Sequence, residues 1–151
     1  MLPLDVEAID RNIEDLKVGD RAKKTWTVTK QDIASFANLS GDFNPLHIDT
    51  DYAISAGYRD SVAHGLLLGA KLSSLVGMKL PGRRCLLIDQ TLAYPNAAYA
   101  GDRLNLSATI INLHPELRIV ELKVLITKIG TNSKSGNTVA RGKMTCKILS
   151  S

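Results

Sequence analysis

The chain has 151 residues, 44% of them hydrophobic and 23% charged, which predicts one folded domain over residues 1–151 with a sizeable core. The formal net charge is +4, but the lysines and arginines are scattered and only 5% of residues are aromatic, so we expect no nucleic-acid partner. No apolar run suits a membrane span, and Pro3 and Asp5 interrupt the apolar start. We therefore expect a cytoplasmic protein that does not associate with membranes.

The first half of the chain is predicted to contain helices and one strand. In the lead-in, residues 5–17, acidic and apolar side chains are spaced in a helix-compatible way, and residues 24–29 alternate like a strand. Thr29 and Asp32 form a capping signal at the start of the next helix. A further short helix is predicted from residue 49 to residue 56.

The longest apolar segment covers residues 64–78 and is predicted to be a buried helix, since it is apolar nearly all round. Pro81-Gly82 ends it. From residue 85 the pattern changes to long β-rich runs, at about 85–94, 103–113, 117–129 and 138–149. One apolar helix followed by long strands predicts an α+β fold in which an antiparallel sheet wraps around a central helix.

Between the first two helices lies the most informative stretch, because it carries a carboxylate and an imidazole close together. Asp42 and His47 flank Pro45, which fixes its own backbone and keeps Asn44 out of the helical region. A rigid turn of this kind could aim both side chains at one point, which suits general acid/base catalysis. The residues alone also allow ordinary turn or capping roles for both.

The same stretch resembles the signature of the MaoC-like dehydratases, also called R-specific enoyl-CoA hydratases. The resemblance lies in residues 40–47, Ser-Gly-Asp-Phe-Asn-Pro-Leu-His, in the small residue Ala53 and in residues 62–65, Val-Ala-His-Gly. It implies a hot-dog fold and a homodimer with a thioester tunnel at or near the subunit interface. The implied reaction is reversible hydration of a trans-2-enoyl-CoA or enoyl-acyl-carrier-protein to the (3R)-hydroxyacyl thioester.

The resemblance also implies roles for individual residues. Asp42 and His47 would be the catalytic pair, Gly65 would give the oxyanion contact, and Ser73 would line the site. Gly65 suits that role physically, because an N–H group in the first turn of a helix is unpaired and lies at the positive end of the helix dipole. Asn44 would orient the loop. The sequence leaves open which of Asp42 and His47 is the base.

Spacing gives no indication of a metal or cofactor site. The histidines are far apart, and Cys85 and Cys146 lie in separate strand-like runs, so we expect no metal, no cofactor and two reduced packing cysteines. His64 is predicted to be a packed or helix-start residue. His114, beside a proline in a turn, is predicted to be exposed.

Two departures from the family pattern affect the predicted substrate. After Gln90 the chain continues through Tyr94-Pro95-Asn96, and Lys71 places a cation in an otherwise apolar helix. Lys71 could reach the surface, pair with an acid or contact a carrier phosphate. These changes put a plain short alkyl acyl group in doubt and keep polar, polyunsaturated and carrier-bound acyl chains open.

Two other functions remain as alternatives. A hot-dog thioesterase would need an acidic residue on the central helix, and residues 64–78 contain neither Asp nor Glu. A non-catalytic subunit that binds acyl thioesters could keep the fold without the reaction, although the retained Asp42 and His47 argue against it.

Overall fold

The computed structural model describes residues 6–130 and 137–150. Its sheet contains β1 (Arg21–Thr27), β2 (Cys85–Ala93), β3 (Arg103–His114), β4 (Ile119–Lys128) and β5 (Thr138–Ile148), all antiparallel, in the order β1-β3-β4-β5-β2. The helices are α1 (Lys30–Ser40), α2 (Pro45–Ile48), α3 (Thr50–Ser55) and α4 (Gly65–Met78). Short 3-10 turns lie at Ile13–Asp15 and Pro115–Leu117.

The core lies between one face of the sheet and α4. Alternate side chains of β3 and β4 are fully buried, as expected for strands with one face against a core. Helix α4 packs against β1, β2 and β3 with a buried face centred on Leu72 and Leu75. The predicted α+β arrangement, an antiparallel sheet around a long central helix, is confirmed.

The predicted burial of α4 holds for the face that meets the sheet, but one side of the helix is exposed. Leu66 is 65% exposed, and Ala70 and Ser73 on the same side of the helix are also exposed. The reason is that the sheet covers α4 from one side only. An apolar stripe along the central helix is therefore left open to solvent.

The lead-in is not the helix that its residue spacing suggested. In residues 6–17 only Ile13–Asp15 form a 3-10 turn. The backbone of Ile9 instead bonds to the end of α4, donating to the Met78 carbonyl at 2.9 Å and accepting from the Arg83 N–H at 2.9 Å. These long-range hydrogen bonds replace those of a local helix, so the lead-in fastens the C-terminal end of α4.

The two edge strands differ in character. β1 is mostly exposed and carries Arg21, Lys23 and Lys24, whereas β2 exposes Leu86 and its neighbours Leu87 and Ile88, by 51%, 39% and 52%. Charged edges resist pairing with another strand, and apolar edges favour it. The β2 edge is thus the one suited to pair with a further strand.

The remaining sequence predictions concern cysteines, one strand end and membranes. Cys85 and Cys146 are free thiols; the hydrogen bond to Cys85, together with burial, raises the pKa of Cys146.

β4 begins two residues later than predicted, because Arg118 takes a left-handed conformation with φ 55° after the 3-10 turn. In the described part of the chain, no helix has the length and apolar character needed to span a membrane.

Candidate active site

The loop that carries Asp42 is fixed at both ends. The α1 helix begins at a reciprocal capping box, in which Thr29 and Asp32 bond each other's backbone N–H, and it ends at Gly41 with φ 76°. Asn44 then caps α2, since its side chain accepts the Leu46 N–H at 3.0 Å. The Asn44 N–H donates to Asp42 Oδ1 at 3.2 Å. Asn44 thus holds both the loop and the carboxylate.

His47 lies on α2 with its ring orientation set by a backbone carbonyl. Its Nδ1 is 2.6 Å from the carbonyl oxygen of Val62, so Nδ1 carries a hydrogen and donates it, which leaves Nε2 to face Asp42. Nε2 is 4.0 Å from Asp42 Oδ2. The side chain of His47 is 15% exposed and that of Asp42 is 50% exposed, so water reaches both. The pair predicted from the sequence does lie together.

His64 supports both members of this pair. It is 2% exposed, and its Nε2–H donates to the carbonyl oxygen of Asp42 at 3.0 Å. Its ring stacks on that of His47, with centroids 3.9 Å apart and planes 23° apart, and Phe36 packs on it at 4.9 Å. The predicted packing role is confirmed. Sequence reasoning missed the bond to Asp42, because residues 22 positions apart carry no local signal of contact.

Gly65 is the first residue of α4 and lies beside the pair. His64 precedes it without making a side-chain capping bond, and no acceptor for the Gly65 N–H occurs among the described residues. An uncapped first turn presents free N–H groups at the positive end of the helix dipole. Such a group can stabilise negative charge on an oxygen placed near it.

Gly65 and His47 border the same cavity, which has a volume of about 310 Å³. Most of its lining is apolar, and the residues are His47, Tyr58, Val62, Ala63, Gly65, Leu68, Tyr94, Pro95, Asn96, Ala97 and Ala98. His47 also borders a second cavity of about 240 Å³ that contains Lys30 and Asp60. The imidazole therefore faces space large enough for a small-molecule substrate.

Ser73 is not brought to this cavity. It lies on the exposed side of α4, eight residues beyond Gly65, which corresponds to about 12 Å along the helix axis. The neighbouring Ser74 accepts a hydrogen bond from Lys24 Nζ at 3.1 Å. A role for Ser73 in substrate binding stays a prediction.

Lys71 takes one of the three roles considered for it, pairing with an acid. Its Nζ is 3.7 Å from Asp32 Oδ1 and 4.7 Å from the ring centre of Trp26. Burial opposes the charged form of Asp32, but the hydrogen bonds from Thr29, the charge of Lys71 and the Trp26 N–H together lower its pKa. Lys71 thus helps to anchor α1 against α4.

The two histidines and Asp42 also raise the question of a metal. Each offers a possible ligand atom, and these atoms lie within 4.8 Å of one another. Stacked imidazoles, however, direct their in-plane lone pairs side by side rather than toward one ion. The arrangement therefore fits a supported acid/base pair better than a metal site. That no metal is needed stays a prediction.

Comparison with known proteins identifies the family. Residues 15–130 match the MaoC-like domain, and the chain belongs to the MaoC-like dehydratase family. It is 33% identical over 117 residues to the (R)-specific enoyl-CoA hydratase of Rhodospirillum rubrum, covering 78% of this chain and 81% of that one. It is also 30% identical over 129 residues to the (R)-specific enoyl-CoA hydratase of Aeromonas caviae, covering 85% of this chain and 96% of that one.

A solved structure gives the same fold. The (R)-hydratase from A. caviae involved in PHA biosynthesis superimposes with a TM-score of 0.82 and 29% identity, covering 90% of this chain and 99% of that chain. The predicted hot-dog fold and the resemblance to this family are both confirmed.

The contact between His64 and Asp42 leads to a prediction about stability. His64→Phe keeps an aromatic ring against His47 but removes the N–H donor, leaving the Asp42 carbonyl without its partner. We expect the free energy of unfolding in urea to fall by about 1–3 kcal/mol. His114→Phe is the matched control, because His114 is exposed, and it should change the value by less than about 0.5 kcal/mol. Equal losses in the two variants would contradict a structural role for this bond.

Proposed function

We propose that the protein is a hydro-lyase that adds water reversibly to trans-2-enoyl thioesters, giving (3R)-3-hydroxyacyl thioesters. One observation carries the proposal: His47, 4.0 Å from Asp42, lines a cavity that the first residue of an uncapped helix also lines. The reaction needs an activated water, a proton for Cα and a donor for the thioester oxygen. Asp42, His47 and Gly65 are of the types that supply these functions.

The gap between Asp42 and His47 is suited to a water molecule. One water molecule can lie about 2.8 Å from both Oδ2 and Nε2 and so bridge them with hydrogen bonds of ordinary length. Because Nδ1 of His47 donates to Val62, the Nε2 lone pair is the acceptor that faces this water. Asp42 accepts the second hydrogen of the water and so orients its oxygen toward the substrate.

In the hydration direction, the water oxygen bonds to Cβ while His47 Nε2 takes one of its protons. The electrons of the double bond move toward the carbonyl, whose oxygen gains negative charge near the Gly65 N–H. The proton on His47 is then delivered to Cα, which restores the neutral imidazole and completes the addition of water. Asp42 stabilises the transient imidazolium. Dehydration follows the same steps in reverse.

The relatives favour this reaction over the alternatives. Those from R. rubrum and A. caviae are named (R)-specific enoyl-CoA hydratases. A relative from Arabidopsis thaliana, 33% identical over 89 residues, is named a mitochondrial 3-hydroxyacyl-[acyl-carrier-protein] dehydratase, and that match covers 52% of its length. We propose a CoA or carrier-protein thioester as the substrate here. The thioesterase alternative lacks support, because α4 has no carboxylate.

We also propose that two copies pair through β2. The β2 edge exposes Leu86, Leu87 and Ile88, and the open stripe of α4 supplies further apolar surface in Leu66 and Ala70. An isologous pairing of this kind would cover surface that a monomer leaves in water.

The catalytic assignment predicts large losses of activity without loss of folding. Asp42→Asn and His47→Ala should each lower kcat for hydration of crotonyl-CoA by about a hundred- to ten-thousand-fold. The loss of enoyl absorbance measures the rate, with EDTA present because the proposed steps use no metal. Asp51→Asn on α3 and His114→Ala are the controls, and both should retain near-full rates. Normal turnover in folded Asp42→Asn and His47→Ala would refute the assignment.

The arrangement also predicts the stereochemistry of the product. Asp42 precedes α2 and His47 lies on it, with 4.0 Å between Oδ2 and Nε2, so we propose that both act on one face of the double bond, and the relatives named (R)-specific favour the face that gives (3R). We expect (3R)-hydroxybutyryl-CoA from crotonyl-CoA, and dehydration of the (3R) enantiomer alone. Chiral chromatography of the product checks this. Predominant (3S) product would mean that the substrate lies with its other face toward the pair.

The dimer proposal predicts a specific response to charge. Leu86→Lys on β2 should shift the protein toward the monomer in sedimentation velocity, because it places a cation at the apolar edge. Leu117→Lys is the matched control, since Leu117 is 64% exposed in the turn between β3 and β4. A monomeric wild-type protein, or dissociation caused equally by both changes, would rule out pairing through β2.

A further inference from the structure

Tyr94 occupies an unusual place beside the proposed site. It follows β2 directly, and its ring lies against the first turn of α4. A Cβ atom built on Gly65 would be 3.1 Å from two of the ring carbons, and one built on Gly69 would be 3.9 Å from the Tyr94 hydroxyl. Positions 65 and 69 share one helix face about 6 Å apart along the axis, so the ring runs along the helix from one glycine to the other.

The two glycines make this position available. A side chain at position 65 would press into the ring, and one at position 69 would meet Leu92, whose Cδ1 is 3.3 Å from the Cβ position. The absence of both side chains lets the aromatic ring lie close to the helix backbone. The Tyr94 hydroxyl has no hydrogen-bond partner among the described residues, and partial burial raises its pKa, so it stays protonated near neutral pH.

Part of the cavity beside the ring is lined by apolar side chains. His47 and Gly65 border it, and its other lining groups include the apolar side chains of Val62, Leu68 and Ala98. These apolar walls suit an acyl tail, while Tyr58 and Asn96 add polar groups to the same cavity. Tyr94 lines this cavity, and its hydroxyl end lies near Gly69, which Leu92 also approaches.

We propose that Tyr94 determines acyl-chain length, its ring closing the cavity so that short enoyl groups are preferred over longer ones, contrary to the doubt that the sequence raised about a short acyl group. The proposal rests on the proposed hydratase function, because it assumes that the thioester carbonyl lies at Gly65. A tail that extends from that carbonyl into the cavity would then meet the Tyr94 ring, which lines it. Removing the ring would join the cavity to the surface of Gly69 and Leu92 and give a longer tail apolar contacts. The ring, rather than the hydroxyl, is the determinant.

A comparison of two substitutions tests the role of the ring. The measured quantity is the ratio of kcat/KM for trans-2-octenoyl-CoA to that for crotonyl-CoA, two substrates that differ by four carbons. Tyr94→Ala should raise this ratio by at least about tenfold, since a single methylene in an apolar pocket can change specificity by that much. Tyr94→Phe keeps the ring and should leave the ratio within about twofold of the wild-type value. Tyr94 is 41% exposed, so neither change empties the core.

A binding measurement separates this inference from the proposed reaction. Butyryl-CoA and octanoyl-CoA are saturated and cannot be hydrated, and calorimetry gives their Kd values for each variant. Tyr94→Ala should tighten octanoyl-CoA binding relative to butyryl-CoA by about tenfold, whether or not the enzyme turns over. If no enoyl thioester is hydrated, the proposed function fails while the binding ratio still decides the role of Tyr94. An unchanged ratio in Tyr94→Ala, or an equal change in Tyr94→Phe, overturns the proposal.

Discussion

The hydrogen bond from His64 Nε2–H to the carbonyl oxygen of Asp42 ties the start of α4 to the loop that follows α1. The proposed acid/base pair and the free N–H of Gly65 are linked through that connection. Gly65 is covalently next to His64, Asp42 is held by the bond itself, and the His47 ring is stacked on the His64 ring. One buried imidazole thus sets the relative positions of the acid/base pair and the free backbone N–H. Catalysis benefits from such preorganisation, because groups fixed beforehand need not be ordered during the reaction.

Asp42 and, to a smaller extent, His47 remain open to water, while His64, which supports both, is buried. Asp42 is half exposed, yet its carbonyl and one carboxylate oxygen are held by His64 and by the Asn44 N–H. A hydratase needs this division, since one substrate is water and must enter between the two groups. The Val62 carbonyl binds Nδ1 of His47 and so leaves Nε2 uncovered. Hydrogen bonds to backbone groups position Asp42 and His47, and the exposed edge of the loop lets water reach them.

The sequence predicts what is local and misses what is brought together from a distance. Asp42, Asn44 and His47 lie within six residues around Pro45, so their proximity follows from the turn, and the long helix and strands follow from periodicity. The bond from His64 to Asp42 and the packing of Tyr94 on Gly65 join distant segments, which spacing cannot show. The lead-in was predicted wrongly for the same reason, because its backbone bonds to the end of α4 override a weak local pattern. The exposed stripe of α4 depends on which side the sheet covers, and periodicity does not contain that information.

The cluster of Trp26, Asp32 and Lys71 has a practical consequence. Trp26 is the only tryptophan among the 151 residues, and its indole N–H donates to Asp32 Oδ2 at 3.2 Å while Lys71 lies over its ring. These three side chains come from β1, α1 and α4. Tryptophan emission changes with local polarity, so any loosening of α1 from α4 would appear as a change in intrinsic fluorescence. The fluorescence of Trp26 therefore reports on the contact between α1 and α4, and α1 leads into the loop that carries Asp42.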